Sequence, residues 1–101
     1  MLEHIVLARL KPDATPEQVR AAGAKLSEMV GRVPGVIEVV AGRNVSPEGK
    51  HQGYDYVLLV RMKDEAARDA YLEDEFHRHV AMEYVVPVVQ EIIVADVLHS
   101  S

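Results

Sequence analysis

Two side chains able to exchange protons near neutral pH lie in one short segment, residues 71–79. Tyr71 supplies a phenol and His77 an imidazole, the groups used for acid and base work in many enzymes. Residues six apart on a continuous helix point to different sides, so the pair converges only if the chain bends between them. Asp74 is a natural helix N-cap, and we place the bend there. The competing interpretation makes His77 an ordinary, partly exposed helix residue.

A lone carboxylate, Asp96, lies within the apolar run from Ile92 to Leu98. An ionised carboxylate among buried apolar side chains is costly unless it is paired or hydrogen-bonded. Strand alternation puts Asp96 on the same face as Val94, and the first and last strands of the expected sheet are neighbours, so its candidate partners are His4 and His77. Asp96 either orients a general-base imidazole or simply reaches water at a strand end.

Other side chains give weaker signals. His77 and His79 resemble a metal-binding pair, but residues two apart project from different sides of a helix and the sequence offers no obvious third ligand. We therefore expect neither a metal nor a cofactor. Aromatic residues at strand or helix positions could line a cavity, although they more often belong to the core. The candidate ligand-binding residues are His4, Val6, Tyr56 and Tyr84.

The first half of the chain contains a strand and a well-marked helix. The β-forming residues of Leu2–Leu10 predict a strand, which a Lys-Pro-Asp sequence then stops. Thr15 is a suitable N-cap, Pro16 suits the first helical position, and Gln18 completes a capping box. Apolar residues recur every three or four positions from there, which predicts a helix that extends to Pro34-Gly35.

The second half predicts three strands and two helices. Strands over 36–45 and 54–62 flank a loop rich in turn-forming residues and should pair as an antiparallel hairpin. Asp64 caps a short helix, and a second helical stretch over 75–86 ends at Pro87. A last strand covers 91–98. This order predicts an α+β fold, a split βαβ sandwich whose four-stranded antiparallel sheet carries helices on one face.

Length and composition bound the possible functions. The chain has 101 residues, is 49% hydrophobic and 27% charged, and is expected to form one domain over 1–101. A net charge of -5 argues against nucleic acid and anionic membranes as partners. The absence of cysteine excludes disulfides, thiolate metal sites and cysteine nucleophiles. The N-terminus lacks the basic and apolar regions of a signal peptide, so we expect a cytoplasmic protein.

The predicted strands are apolar on both faces. In the first strand, for example, Val6 and Ala8 share one face while Ile5 and Leu7 share the other. An antiparallel sheet with one wet face should instead alternate apolar and polar residues. Helices can cover only one face, so we expect the other face to pack on a second copy, sheet against sheet, in a twofold dimer.

Several segments, in this order along nearly the whole chain, resemble the stress-responsive dimeric α/β barrel (Dabb) family. These segments are His4-Ile5-Val6-Leu7, Val33-Pro34-Gly35-Val36, Gly42-Arg43-Asn44-Val45-Ser46, Gly53-Tyr54-Asp55, Tyr71 with His77, and Val94-Ala95-Asp96. The resemblance implies a ferredoxin-like monomer whose sheet packs on a partner's to form a barrel, with a small-molecule cavity between each sheet and its helices.

The resemblance leaves several functions open. The family includes stress-associated proteins of no assigned activity and a polyketide cyclase that closes an aromatic ring by intramolecular aldol chemistry. Carried over to this chain, that chemistry makes His77 the general base and Tyr71 the hydrogen-bond donor, with Asp96 orienting His77 and His4 beside the cavity. A further alternative is a cofactor-free monooxygenase-like protein with the same dimer architecture. Asp74 and Glu75 replace the His-Pro that many members carry here, which adds negative charge and disfavours an acidic substrate.

Overall fold

The computed structural model describes residues 1–100, in which one four-stranded sheet packs against helices on a single face. Neighbouring strands are antiparallel throughout, which confirms the predicted split βαβ sandwich. No helix within residues 1–100 is long and apolar enough to cross a membrane. The sheet order is β2-β3-β1-β4, and the elements are β1 (Leu2–Leu10), α1 (Pro16–Ser27), β2 (Val36–Arg43), β3 (Tyr56–Met62), α2 (Glu65–Glu73), α3 (Glu75–Val80), a π-helical segment (Ala81–Val85) and β4 (Val89–Leu98).

The start of α1 follows the prediction, and its end does not. The Gln18 amide donates to the Thr15 hydroxyl at 3.2 Å, and the Thr15 amide donates to the Gln18 side chain at 2.9 Å, so the capping box is complete. The helix ends at Ser27 rather than continuing to Pro34, and turns follow it. At Met29 the amide donates three residues back, to the Leu26 carbonyl at 3.1 Å, and Gly31 follows with a φ of 88°, a left-handed conformation that an α-helix cannot continue through. The apolar periodicity reflects burial, since Met29 still reaches the core from these turns.

The helical region after Asp64 is divided at two points. Asp74 adopts an extended conformation between α2 and α3, and its carboxylate accepts from the amides of Phe76 (2.8 Å) and His77 (3.1 Å), which confirms the predicted bend. After Val80 the ladder widens into the π-helical segment, in which the Val86 amide donates to the Ala81 carbonyl at 2.8 Å. The predicted helical stretch over 75–86 is therefore present, with its second half π-helical.

The two faces of the sheet differ in what covers them. The inner face, towards the helices, holds most of the buried core, including Leu2, Leu58, Val60 and Met62. The strand registers place a second set of apolar side chains on the opposite face, which no helix covers. Ile93 and Val97 there are each 47% exposed. We call this surface the outer face; it consists of Ile5, Leu7, Val40, Val57, Leu59, Ile93, Ala95 and Val97.

Candidate functional site

A cavity of about 310 Å³ lies between the inner face and the helices. Its wall is mainly aliphatic, and its polar lining comes from His4, Tyr71 and His77. The cavity therefore resembles a small-molecule site in having an apolar body and a few convergent polar groups. The complete lining is His4, Val6, Leu26, Leu58, Tyr71, Leu72, His77, Ala81, Val85, Ile92 and Val94.

Tyr71 and His77 meet at this cavity as predicted. The rings stack with their centroids 4.0 Å apart and their planes at 30°, because the Asp74 cap turns the chain between α2 and α3. Tyr71 is 1% exposed, and its other side meets the edge of the His4 ring at a centroid distance of 5.3 Å. Three aromatic rings thus follow one another along the cavity wall, with the phenol in the middle.

Asp96 pairs with His4, one of its two candidate partners. The β1–β4 register puts His4 directly opposite Asp96, and Asp96 Oδ1 accepts from His4 Nδ1 at 2.7 Å. The second carboxylate oxygen, Oδ2, accepts from Arg68 Nη1 at 3.1 Å. The expectation that Asp96 orients His77 is corrected, because both of its oxygens are engaged by His4 and Arg68. His77 instead lies against Tyr71.

Burial and neighbouring charges set the protonation of the site. Burial, helped by the negative charge of Asp96, raises the pKa of Tyr71 well above its ordinary value, so the phenol stays protonated. Burial, helped by the nearby His4, lowers the pKa of His77 and favours a neutral imidazole. Partial burial alone would raise the pKa of Asp96, but the hydrogen bonds from His4 and Arg68 outweigh it and hold that pKa below its ordinary value.

One polar atom of the site has no protein partner. Nδ1 of His77 is buried and makes no hydrogen bond to any residue among 1–100. A buried nitrogen without a partner costs about 1 to 3 kcal/mol of desolvation, and such atoms are rare in folded proteins. Because this nitrogen is buried, it is closed to a ligand, and the polar atoms open to the cavity are other atoms of His4, Tyr71 and His77.

Arg68 belongs to the site although it is not among the residues predicted from the sequence. This residue lies on α2 three positions before Tyr71, a spacing that places two side chains on the same side of a helix. Its guanidinium contacts Asp96 and also Asp69, whose Oδ1 lies 3.0 Å from Nη2. The helical spacing from Tyr71 is the signal that could have identified it.

The other predicted site residues are divided between this cavity and the rest of the surface. Val6 lines the cavity beside His4. Tyr56 lines a separate groove between α1 and β2. Tyr84 lies outside the cavity lining, with its ring 6.1 Å from that of His79 and 5.6 Å from Lys25 Nζ. The structure thus brings His4, Val6, Tyr71 and His77 to one cavity but does not bring Tyr56 and Tyr84 there.

The sheet order and the helices packed on one face define a ferredoxin-like α+β protein with a cavity between its two layers. The chain belongs to the stress responsive A/B barrel domain family, whose model matches residues 2–98. This family membership agrees with the resemblance drawn from the sequence segments. Among functionally curated proteins, none is similar enough to match.

Solved structures with the same fold include proteins of different kinds. A protein from Arabidopsis thaliana is 22% identical, with a TM-score of 0.91, over 100% of this chain and 97% of its own. A dimeric ferredoxin-like protein of unknown function from Jannaschia sp. CCS1 is 27% identical, with a TM-score of 0.83, over 97% and 98%. The hydroxynitrile lyase of Passiflora edulis is 19% identical, with a TM-score of 0.86, over 98% and 93%.

Proposed function

We propose that this protein is a homodimer that binds a small, neutral, largely apolar molecule carrying a hydroxyl group in the cavity beside Tyr71 and His77. The observation that carries this proposal is a mainly aliphatic cavity whose polar lining comes from His4, Tyr71 and His77. A ligand hydroxyl can donate or accept, so it can pair with the phenol of Tyr71 or with an imidazole nitrogen that is open to the cavity. The aliphatic wall accounts for the apolar body of the ligand.

Charge favours a neutral ligand over an acid. The chain carries a net charge of -5, and Asp96 is held ionised beside the cavity by His4 and Arg68. The neutral forms of Tyr71 and His77 provide no cation that would compensate a ligand carboxylate. A carboxylate would therefore lose its hydration without gaining an ion pair.

The dimer part of the proposal rests on the outer face. This surface holds eight apolar side chains, bordered at one end by the ion pairs of Arg61 with Glu3 and Glu38, and an apolar patch with a charged border is typical of an interface. The Jannaschia relative, a dimeric protein of this fold, supports a second copy as the occupant. Sedimentation at micromolar concentration should give a dimer, and a stable monomer would refute this part.

Ligand binding is tested with 4-ethylphenol, which has one hydroxyl on a small apolar body. In an NMR titration, we expect saturable chemical-shift changes at the residues that line the cavity. Ala81→Phe should abolish binding because Ala81 lines the cavity. Met82→Phe is the matched control, since the adjacent Met82 is 65% exposed. Binding that survives Ala81→Phe, or no binding by the wild-type protein, would contradict the proposal.

A second candidate function is proton-transfer catalysis in the same cavity, of the kind that the family resemblance implies for a cyclase. The specific observation in its favour is the neutral imidazole of His77 stacked on the protonated phenol of Tyr71. His77 would take the proton from a carbon next to a carbonyl, and Tyr71 would donate a hydrogen bond to the enolate oxygen that forms. The fold of the chain is also that of a hydroxynitrile lyase. The monooxygenase-like alternative stays a prediction.

The catalytic candidate is tested by hydrogen exchange at carbon. In D₂O, the protein should accelerate exchange of the protons next to the carbonyl of 4-phenyl-2-butanone, as followed by NMR. His77→Gln and Tyr71→Phe should each reduce the acceleration at least tenfold, a typical size for loss of one acid or base group. His79→Gln, a change to an exposed histidine, is the control. Exchange no faster than in buffer would remove this candidate and leave the binding function standing.

A further inference from the structure

We infer that Arg68 is a positioning residue for the site: by occupying Oδ2 of Asp96 it turns Oδ1 toward His4, so that the ionised carboxylate holds the proton on Nδ1 and His4 presents an unprotonated Nε2 to the cavity. This role deepens the proposed ligand-binding function and rests on it only for the purpose that the unprotonated Nε2 serves, which is to accept from a ligand. The arrangement of the side chains can be tested without any ligand.

The contacts that support this inference form a chain from helix to strand to strand. Arg68 on α2 donates to Asp96 Oδ2 at 3.1 Å, and Asp96 Oδ1 accepts from His4 Nδ1 at 2.7 Å. His4 is 6% exposed, and Arg68 and Asp96 are each 23% exposed at their side chains. Asp69 holds the guanidinium from its other side, at 3.0 Å from Nη2 and 3.1 Å from Nε.

Hydrogen-bond chemistry dictates the tautomer. A guanidinium has only donors, so the atom of residue 96 that faces Arg68 must be an acceptor. An ionised carboxylate offers acceptors on both sides, so the imidazole nitrogen facing Oδ1 must carry the hydrogen. Neutral His4 therefore has its proton on Nδ1, and Nε2 keeps a free lone pair.

This assignment gives the two cavity histidines different roles. His4 lines the cavity, and Nε2 makes none of the hydrogen bonds found among residues 1–100. It is thus a fixed acceptor for a ligand hydroxyl, whereas Nδ1 of His77 is buried without a partner. The Asp-oriented imidazole of this chain is His4, and a hydroxyl donor is the ligand group that it fits.

The test uses an isosteric change, Asp96→Asn. An asparagine has one acceptor and one donor group, and Arg68 should attract the amide oxygen. The amide NH₂ would then face His4 Nδ1 and force the proton onto Nε2. Arg68→Gln alone should leave the Nδ1–H tautomer, because the carboxylate still accepts. In the Asp96→Asn, Arg68→Gln double variant, the glutamine can donate or accept. The asparagine amide is then free to turn, and both tautomers of His4 should be present.

The readout is the pair of imidazole ¹⁵N chemical shifts of His4 at about pH 8.5, roughly two units above the ordinary histidine pKa. The chain has five histidines, so a His4→Gln variant assigns the signals. Asp96→Asn combined with Arg20→Gln is the control, since Arg20 is an exposed arginine on α1 and its loss should leave the Nε2–H form unchanged.

The outcomes separate this inference from the proposed function. A switch to Nε2–H in Asp96→Asn that gives way to a mixture of both tautomers in the Asp96→Asn, Arg68→Gln double variant supports the role of Arg68. Two results overturn that role, whether or not 4-ethylphenol binds. One is the same His4 tautomer in Asp96→Asn with and without Arg68, and the other is a wild-type His4 that is protonated at Nε2. If 4-ethylphenol fails to bind while the tautomers follow the expected pattern, the proposed ligand class fails and the role of Arg68 stands.

Discussion

The proposed dimer can be tested with two adjacent isoleucines of β4. Ile93 lies on the outer face opposite Leu7, and Ile92 lies on the inner face opposite Ala8. Their exposures are nearly equal, 47% for Ile93 and 50% for Ile92. Replacing each in turn by aspartate makes the same chemical change at the same depth but on opposite faces of the sheet.

The expected size of the effect follows from the exposed area. Burying a whole isoleucine side chain contributes about 2 kcal/mol, so burying the exposed half of Ile93 contributes about 1 kcal/mol. The twofold axis doubles this to about 2 kcal/mol per dimer. A carboxylate left in an apolar interface adds at least about 1 kcal/mol per copy. The total, about 4 kcal/mol, corresponds to a roughly thousandfold weaker dimer.

The assay is the dissociation constant of each variant from sedimentation velocity over a concentration series, with circular dichroism to establish that each variant folds. Ile93→Asp should shift the equilibrium to monomer at concentrations at which the wild-type protein is dimeric. Ile92→Asp should dimerise like the wild type, although it alters the cavity wall. If both variants weaken the dimer equally, or if Ile93→Asp has no effect, the outer face is not the interface.

Three further predictions concern the frame of the site. The pKa of Asp96 is lower in the folded state than in the unfolded chain, so Asp96 stabilises the fold above its unfolded pKa and this contribution is lost as pH falls through the folded value. The stability deficit of Asp96→Asn in urea unfolding should therefore be largest near neutral pH and shrink in acid, and a deficit that does not vary with pH would contradict this sign. Asp74→Ala removes the cap that accepts from the His77 amide and should cost about 1 kcal/mol in urea unfolding, with altered His77 chemical shifts; unchanged shifts would show that the cap does not position the ring. Gly35→Ala should lower the free energy of unfolding by more than about 1 kcal/mol, because φ is 87° and the new Cβ would lie 2.6 Å from Ala67 Cβ; a thermal midpoint equal to that of the wild type would refute the clash.

Local sequence alone determined most of the elements. The bounds of β1 were predicted to the residue, as were the capping box at Thr15 and the caps at Asp64 and Asp74. Each of these depends on hydrogen bonds and conformational preferences within a few residues of chain, so the sequence pattern contains the necessary information. The same local information misplaced the end of α1, because the periodicity of buried residues continues through turns.

The site was only partly determined by local sequence. The bend at Asp74 predicts that Tyr71 and His77 approach each other, and the structure confirms it. The sequence allows either His4 or His77 as the partner of Asp96, since either choice satisfies a lone carboxylate. Strand register decided it, by setting Asp96 opposite His4 across the β1–β4 pair.

Tertiary structure alone brought Arg68 to the second oxygen of Asp96 and enclosed the cavity. Arg68 and Asp96 are 28 residues apart, and their contact depends on how α2 packs across the sheet. Sequence patterns record which face of an element is buried, but not the angle and offset at which two elements pack. Those packing parameters decide which polar side chains meet, and here they created the link from Arg68 through Asp96 to His4.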